Sequence, residues 1–342
     1  MGNTFELHRI LVTLPVGEKE KEMLRQAAPG SEFLFVSDNG TDEIRISPSA
    51  GQPVTMEAGV QDVAGRDIIL GNISPKLLEH AKDLKFFQLN SAGTNQYING
   101  ELPEGVTLCC ASGAYGVAIA EHMLAMVLAM IKKIETYCAN RGKHVWTDEG
   151  PVKGIYGSTT LIAGAGNIGT EFAKRMKALG SRCIAIRRQN SEPDDIFDAC
   201  GTLEDLDRFL PEADFVVCTL PETAHTKGIF DSGRFALMKD DAVFVNIGRG
   251  SVADPVALAD ALNSGKIGGA CLDVTHMEPL PKEDPLWDAE NLMITPHVSG
   301  GYHLQYTYDS ILRIMTENLK NYISGGPLIS EVDMSSGYRK KN

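Results

Sequence analysis

Three spaced glycines lie in Leu161-Ile162-Ala163-Gly164-Ala165-Gly166-Asn167-Ile168-Gly169, between an apolar run and an amphipathic helical pattern. In a strand–turn–helix context, the first glycine permits a tight turn, the second lets the backbone approach a pyrophosphate, and the third allows close helix–strand packing. The start of the helix offers unpaired N–H groups and a positive dipole to phosphates. The stretch therefore predicts a dinucleotide-binding unit, although methyltransferases carry similar glycine turns.

Outward from this stretch, short β-branched runs alternate with helical patterns along the chain, and most of the runs are continuously apolar. Such runs are typical of parallel strands that are buried on both faces. The predicted strands are Arg9–Leu14, Glu32–Val36, Asp67–Leu70, Phe86–Leu89, Thr159–Ala163, Cys183–Ile186, Phe215–Thr219, Ala242–Asn246, Gly269–Val274 and Leu292–Thr295. The alternation predicts an α/β protein with parallel sheets covered by helices.

Four helical patterns matter for the organisation of the chain. Glu171–Leu179 and Pro255–Asn263 lie between predicted strands, and Leu304–Ile323 follows the last one. The longest pattern, Gly116–Tyr137, is apolar nearly all round and separates the two sets of strands. An all-round apolar helix is buried, so we expect Gly116–Tyr137 at a domain junction or a dimer interface.

The length and the net charge of the chain restrict the functions that it can have. The 342 residues suffice for two domains, and 45 acidic against 32 basic residues give a net charge of −13. A surface this acidic repels phosphate backbones and anionic lipid, which argues against a nucleic-acid or membrane partner. The seven cysteines show neither metal-ligand nor disulfide spacing, and no targeting segment is evident. We expect a cytoplasmic protein with reduced thiols and no metal site.

The end of the next predicted strand bears on the choice of cofactor. It reads Ile186-Arg187-Arg188-Gln189-Asn190, where an NAD site would present a carboxylate to the ribose 2′-hydroxyl. Two guanidinium groups stand there instead, and their planar donors suit a 2′-phosphate. The pattern favours NADPH over NADH, and the alternative is a solvated strand end with two ordinary arginines.

Three further segments follow strand ends, where open parallel sheets bind their ligands. The first is Val245–Gly250, in which Arg249 stands between two glycines and could clamp a small carboxylate. The second runs from Leu272 to Leu280 and contains Glu278, and the third, Ile294–Gly301, contains His297. Taken singly, Arg249 could be a surface arginine at a turn and His297 a structural histidine.

Taken together, these segments resemble the D-isomer-specific 2-hydroxyacid dehydrogenase family over nearly the whole chain. The blocks that carry the resemblance, in chain order, are Ser91-Ala92-Gly93, Ala120-Glu121-His122, the glycine stretch, Leu220-Pro221 with Thr226, and the Asn246–Gly250, Asp273–Pro279 and Thr295–Gly301 segments. Arg187 and Arg188, together with the tail from Glu331 to Tyr338, look similar to the NADPH-preferring glyoxylate/hydroxypyruvate reductase branch.

The resemblance implies a fold of two doubly wound parallel-sheet domains with a cleft between them. A Rossmann-type cofactor domain at 109–302 would be inserted into a flavodoxin-like substrate domain made of 1–108 and 303–342. Such enzymes are usually homodimers joined through the cofactor domains. They reduce a small 2-keto acid to a D-2-hydroxy acid, with hydride from the dinucleotide.

Roles for single residues also come from the resemblance. Arg249 looks like the carboxylate clamp and carbonyl polariser, His297 like the general acid that protonates the carbonyl oxygen, and Glu278 like its partner. Substrate would bind to Ser91, Ala92 and Gly93 as well as to Arg249 and His297. The implied cofactor-binding residues are Gly164, Gly166, Asn167, Ile168, Gly169, Arg187, Arg188, Leu220, Pro221, Thr226, Ile247, Asp273 (at the nicotinamide end) and Gly300.

Other functions remain open at this point. A D-2-hydroxyacid dehydrogenase of broader range would accept bulkier 2-keto acids with the same residues. Formate dehydrogenases share the fold but carry Gln at the position of Glu278. The chain ends soon after the last predicted helix, which argues against a phosphoglycerate dehydrogenase with a regulatory domain. A dinucleotide-sensing binding protein of the same fold would show no turnover of any 2-keto acid.

Overall fold

A computed structural model describes residues 7–38, 57–94, 96–98, 102–189, 191–301, 304–334 and 340. The chain divides into two compact units. One consists of Met1–Tyr115 and Gly301–Asn342, and the other is the intervening Gly116–Gly300. We call them the outer unit and the inserted unit. No helix in the described ranges is long and apolar enough to span a membrane.

Each unit is built on one sheet. The strands of the outer unit are β1 (Arg9–Val12), β2 (Glu32–Phe35), β3 (Ile68–Leu70), β4 (Phe86–Gln88) and β5 (Thr107–Cys109). Those of the inserted unit are β6 (Thr159–Ala163), β7 (Arg182–Ile186), β8 (Ala199–Gly201), β9 (Phe215–Cys218), β10 (Val243–Asn246), β11 (Gly269–Leu272) and β12 (Leu292–Ile294).

Helices connect the strands and cover the sheets. In chain order they are α1 (Glu18–Ala27), α2 (Val60–Val63), α3 (Gly116–Ile131), α4 (Ile134–Gly142), α5 (Asn167–Ala178), α6 (Leu206–Phe209), α7 (Ser232–Leu237), α8 (Pro255–Asn263) and α9 (Gln305–Ser324). Asp254 caps α8 by accepting hydrogen bonds from the backbone N–H groups of Val256 and Ala257, and Pro255 occupies the first helical position.

Both sheets are parallel throughout, and their strand orders identify their topology. The outer unit has the order β2-β1-β3-β4-β5, which is the flavodoxin-like arrangement. The inserted unit has the order β12-β11-β10-β9-β6-β7-β8, a Rossmann arrangement with one additional strand. The order reverses between β6 and β9, so the carboxyl end of β6 is the topological switch point where ligands of such sheets bind.

The apolar strands form the cores. All four residues of β9, β10 and β11 are buried, as the continuous apolar runs predict for strands covered on both faces. Helix α3 contributes Ile119, Met123 and Val127 to the inserted unit. In the outer unit, the ring of Tyr322 on α9 stacks on Phe86 of β4, with 4.4 Å between their centroids.

The predicted fold class of two parallel-sheet α/β units is confirmed, and all ten predicted strands occur. Strands β5 and β8 were missed, because neither Thr107-Leu108-Cys109 nor Ala199-Cys200-Gly201 is a run of large apolar residues like those that indicate the other strands. The prediction of one helix over Gly116–Tyr137 is wrong, because α3 ends at Ile131 and a second helix begins at Ile134. Lys133 has a φ of 55°, a left-handed conformation that breaks a right-handed helix.

Candidate active site

The glycine loop follows β6 at the switch point of the inserted unit. Gly164 has a φ of 99°, which L side chains rarely adopt. A Cβ on Gly169 would lie 2.8 Å from the carbonyl oxygen of Gly164, so the helix packs as closely as the sequence predicts. Helix α5 begins at Asn167, and its N-cap residue, Gly166, has no side chain that could cap the helix.

These features fit the pyrophosphate of a dinucleotide. The backbone N–H groups at the start of α5 have no intrahelical acceptors, and an anion satisfies them. A Cβ placed on Gly166 would meet its nearest atom only at 3.9 Å, so this side of the loop is open. Gly166, Asn167, Ile168 and Gly169 are therefore the residues that would hold the phosphates.

Arg187 and Arg188 follow β7, next to β6 in the sheet. The Arg187 guanidinium lies over the ring of Phe197 at 4.8 Å from its centroid and donates a 3.0 Å hydrogen bond to Ser191 Oγ. Asp194 Oδ2 lies 3.8 Å from Arg187 Nη2. Backbone N–H groups of Phe197 and Ile196, with a smaller contribution from Arg187, lower the pKa of the Asp194 carboxyl. Arg188 is exposed.

The structure thus adds a carboxylate that local sequence reading missed. Residues 186–190 contain no acid, but the following loop brings Asp194 back to the guanidinium of Arg187. Asx hydrogen bonds from Asp194 to Ile196 and Phe197, each 2.8 Å, shape that loop. The acidic turn Pro193-Asp194-Asp195 was the available sequence signal.

Arg249 follows β10 in a turn that is fixed by Asn246. The buried Asn246 side chain donates to the carbonyl of Arg249 and accepts from the N–H of Gly248. A Cβ on Gly250 would lie 1.9 Å from the backbone of Thr275, so only glycine allows this turn to pack against the segment after β11. The Arg249 side chain is half-buried, and its Nη1 donates to the Gly248 carbonyl.

Glu278 and His297 come from the segments that follow β11 and β12, and their side chains meet. His297 Nδ1 lies 2.7 Å from Glu278 Oε2, and the Thr275 N–H donates to Glu278 Oε1 at 3.1 Å. Burial acts to raise the pKa of the Glu278 carboxyl, but His297, Thr275 and the nearby charge of Arg249 together lower it. The two side chains remain about a third exposed, 29% for His297 and 31% for Glu278, so a ligand can reach them.

Asp273 follows β11 and differs from its expected setting. Its side chain is fully buried and accepts hydrogen bonds from residues on both sides of His297. In this structure it presents no surface to a nicotinamide. The cofactor contact implied by the resemblance stays a prediction.

The remaining predicted residues occupy loops in their own units. In the inserted unit, Thr226 is buried and donates to the Pro221 carbonyl at 2.6 Å, so its hydroxyl shapes the loop that follows Leu220. Ile247 is also buried, and Gly300 ends the unit. No group of three or more His, Cys, Asp or Glu side chains in the described part of the chain could hold a metal ion.

The loop Ser91-Ala92-Gly93 belongs to the outer unit and follows β4. Ser91 Oγ donates to the Gly93 carbonyl at 2.8 Å, so this hydroxyl shapes the loop. Two buried side-chain amides fix the backbone next to this loop. Asn72 and Asn90 each accept a hydrogen bond from the backbone N–H of the other. Ala92 is exposed. Binding of a substrate carboxylate at this loop remains a prediction.

Comparison with known proteins shows which family the chain belongs to. The family described as "D-isomer specific 2-hydroxyacid dehydrogenase, NAD binding domain" matches residues 124–299, about half of the chain. The glyoxylate/hydroxypyruvate reductase B of Salmonella gallinarum is 31% identical over 80% of this chain and 86% of its own length. The chain belongs to the D-isomer-specific 2-hydroxyacid dehydrogenase family.

Two further similarities show the range within this D-2-hydroxyacid dehydrogenase family. The D-3-phosphoglycerate dehydrogenase of Archaeoglobus fulgidus is 29% identical over 77% of this chain, which spans only 50% of that protein. An NADPH-dependent glyoxylate/hydroxypyruvate reductase from Sinorhizobium meliloti, solved with NADP and sulfate, is 27% identical. Its TM-score is 0.76, over 97% of this chain and all of the other. The protein is therefore an oxidoreductase of the D-2-hydroxyacid dehydrogenase type with an NAD-binding domain.

Proposed function

We propose that this D-2-hydroxyacid dehydrogenase reduces small 2-keto acids of the glyoxylate/hydroxypyruvate type to D-2-hydroxy acids, with NADPH as the preferred donor. The observation that carries the proposal is the 2.7 Å contact between His297 Nδ1 and Glu278 Oε2, within electrostatic reach of Arg249. An acid–base pair beside a guanidinium suits a substrate that carries a carboxylate next to a carbonyl.

In the proposed mechanism, the Arg249 guanidinium binds the substrate carboxylate and draws electron density from the carbonyl. Because Nδ1 of His297 faces Glu278, Nε2 is the ring nitrogen that can face the substrate. The carboxylate of Glu278 accepts the Nδ1–H hydrogen bond and holds the ring in place, so His297 can deliver a proton from Nε2 to the carbonyl oxygen. A dinucleotide held by the glycine loop of Gly164, Gly166 and Gly169 would supply the hydride for the carbonyl carbon. In the reverse direction, neutral His297 takes the hydroxyl proton.

The preference for NADPH rests on the residues after β7. Arg187 is anchored by Phe197 and Ser191, which holds its guanidinium at the strand end, and Arg188 is exposed beside it. A 2′-phosphate would gain charge-assisted hydrogen bonds there. Asp194 would compete for Arg187, so the pair of arginines rather than Arg187 alone is the proposed phosphate site. The related reductase of Sinorhizobium meliloti is NADPH-dependent.

We also propose that the enzyme is a cytoplasmic homodimer joined through the inserted unit. The face of α3 that carries Ile119, Met123 and Val127 is buried within its own unit. In contrast, α4 buries none of its residues, and Trp146 and Tyr156 beyond it are almost completely exposed. We therefore place the contact on α4 and residues 143–156. None of the seven cysteines forms a disulfide bond, as a reducing compartment favours.

An absorbance assay at 340 nm tests the function. NADPH and NADH oxidation would be followed separately with glyoxylate, hydroxypyruvate, pyruvate, phenylpyruvate and 2-ketoisocaproate. We expect NADPH-dependent turnover with glyoxylate and hydroxypyruvate. Turnover only with the bulky acids would move the protein to the broader-range branch, and no turnover in a dinucleotide-binding protein would favour a sensing role.

A variant at His297 tests the mechanism. His297→Ala should lower kcat by about 10²- to 10⁴-fold, the usual contribution of a positioned proton donor, while NADPH binding measured by fluorescence is retained. His225→Ala, an exposed histidine of the same unit, is the matched control and should keep full activity. Wild-type turnover in His297→Ala would remove His297 as the acid.

A further inference from the structure

We propose that His122 and Thr295 are positioning residues for His297, acting through the buried carboxylate of Asp273. This inference rests on the proposed acid–base role of His297. His122 lies on α3, the helix whose apolar face is buried in the inserted unit. The resemblance places His122 in a family block but gives it no role.

A continuous set of hydrogen bonds links the two histidine segments. His122 Nε2 lies 3.0 Å from Thr295 Oγ1, and Thr295 Oγ1 lies 2.6 Å from Asp273 Oδ1. Asp273 also accepts from the backbone N–H of Val298 at 3.0 Å and from that of Ser299 at 3.1 Å. Ser299 Oγ completes the set with a hydrogen bond to Asp273 Oδ2.

The segment held by these bonds is the one that carries His297. Thr295 precedes His297 by two residues, and Val298 and Ser299 follow it directly. Asp273 therefore accepts hydrogen bonds from the chain on both sides of His297. His297 itself has a φ of 52°, an uncommon conformation for a residue with a side chain. Such a conformation persists when the surroundings impose it, and the bonds to Asp273 supply that restraint.

The chemistry of the donors assigns a proton to His122. An ionised carboxylate only accepts hydrogen bonds, so the single proton of the Thr295 hydroxyl points to Asp273. The Thr295 oxygen must then accept from His122, which makes His122 the donor through Nε2–H. Replacing either residue removes a link between α3 and the His297 segment without touching Glu278, Arg249 or the glycine loop.

The decisive experiment compares Thr295→Val with Thr295→Ser. Valine keeps the shape of threonine and lacks its hydroxyl, whereas serine keeps the hydroxyl. Small misplacement of a catalytic group can be costly, so we expect Thr295→Val to lower kcat about tenfold or more, with the NADPH Kd within about twofold of wild type. Thr295→Ser should keep at least about half of the wild-type kcat, because it preserves the hydrogen bonds.

His122 variants provide an independent arm. His122→Gln, which retains a side-chain N–H donor, should be more active than His122→Leu, whose kcat should fall as in Thr295→Val. A kcat per folded site that is unchanged in both Thr295→Val and His122→Leu would overturn the proposal, even if melting temperatures fall. Should Thr295→Val fail to fold, the two His122 variants decide by themselves.

A spectroscopic measurement separates this inference from the proposed function. In a ¹H–¹⁵N spectrum of histidine-labelled protein, His122 should show the Nε2-protonated tautomer, and the His297 signals should move in Thr295→Val but not in Thr295→Ser. If wild type turns over no 2-keto acid, the proposed function fails while this spectrum still tests the coupling. An Nδ1-protonated His122, or His297 signals unchanged in Thr295→Val, overturns the inference.

Discussion

At the scale of single residues, chemistry follows from what a side chain touches. Glu278 and His297 are nineteen positions apart and meet at 2.7 Å because β11 and β12 are parallel neighbours whose carboxyl ends share one edge of the sheet. Asp273 lies at the same edge of the sheet, but its side chain is buried and surrounded by hydrogen-bond donors. It therefore holds the neighbouring segment in place and is not exposed to a ligand.

The Glu278 carboxyl gives a prediction on pH dependence. Because its pKa is lowered, Glu278 stays ionised below the usual titration range of a glutamate and continues to accept the hydrogen bond of His297 Nδ1 there. Glu278→Gln removes that charge at nearly constant size. Reductive kcat near neutral pH should fall by about 10- to 100-fold, part of the full acid–base contribution.

The loss in Glu278→Gln should persist down to pH values below the usual titration range of a glutamate, because wild-type Glu278 stays ionised there whereas the variant is uncharged at every pH. The kcat–pH profile of both proteins measures this. Glu283→Gln, an exposed residue of the same segment, serves as the control. Superimposable profiles for wild type and Glu278→Gln would contradict the assignment of Glu278 as partner of His297.

At the scale of elements, the loop after β7 sets the expected cofactor preference. Arg188→Ala combined with Arg187→Ala should weaken NADPH binding about 10- to 100-fold, the loss expected for two charge-assisted contacts of about 1.5–3 kcal/mol that are partly screened by solvent. NADH binding should change little. Kd values for both dinucleotides measure the effect, with Arg182→Ala on the same strand as control. An equal loss for both cofactors would refute the 2′-phosphate site.

A second element-scale prediction concerns the amino ends of β6 and β9. Asp214 accepts from the Thr159 N–H at 2.8 Å and from Lys239 Nζ at 3.0 Å, with Lys153 Nζ at 3.5 Å. Burial opposes the charge of Asp214, but these three partners outweigh it and lower the pKa of the carboxyl. Stability from such a group is present above its unfolded pKa and is lost as the pH falls through the folded value.

Asp214→Asn should therefore lower the free energy of unfolding by about 1–3 kcal/mol at neutral pH, the size of a hydrogen-bonded charge, and by less below about pH 3. Denaturant titrations at the two pH values measure the difference. Asp240→Asn, whose exposed side chain contacts Lys266, should change little at either pH. A constant difference across the pH range would show that the charge is not responsible.

The sequence reveals those parts of the site whose residues lie close together along the chain. The glycine loop and the segments with Arg249, Glu278 and His297 could be found because each is a short pattern at a strand end. The contact of His122 with Thr295 joins residues 173 positions apart, and no local pattern reports it. Asp194 was missed for a related reason, since its loop folds back onto Arg187 only in three dimensions.

For the whole molecule, the prediction is dimerisation through α4 and residues 143–156. Trp146→Asp should convert a dimer into a monomer in sedimentation velocity, because a charge at an apolar contact is left without a partner. Val256→Asp, at an exposed apolar position on α8, should leave the dimer intact. A wild-type monomer, or a dimer that survives Trp146→Asp, would show that this surface is not the contact.

The strand order of the inserted unit affects how cofactor preference and catalysis can change during evolution. Arg187 follows β7 on one side of β6, whereas Arg249, Glu278 and His297 follow β10, β11 and β12 on the other side of β9. Residues that far apart with no shared partners have nearly additive effects on free energy. On the proposed roles of these residues, we expect donor choice and proton chemistry to change independently, so that a lineage could exchange one dinucleotide for the other without passing through an inactive ancestor.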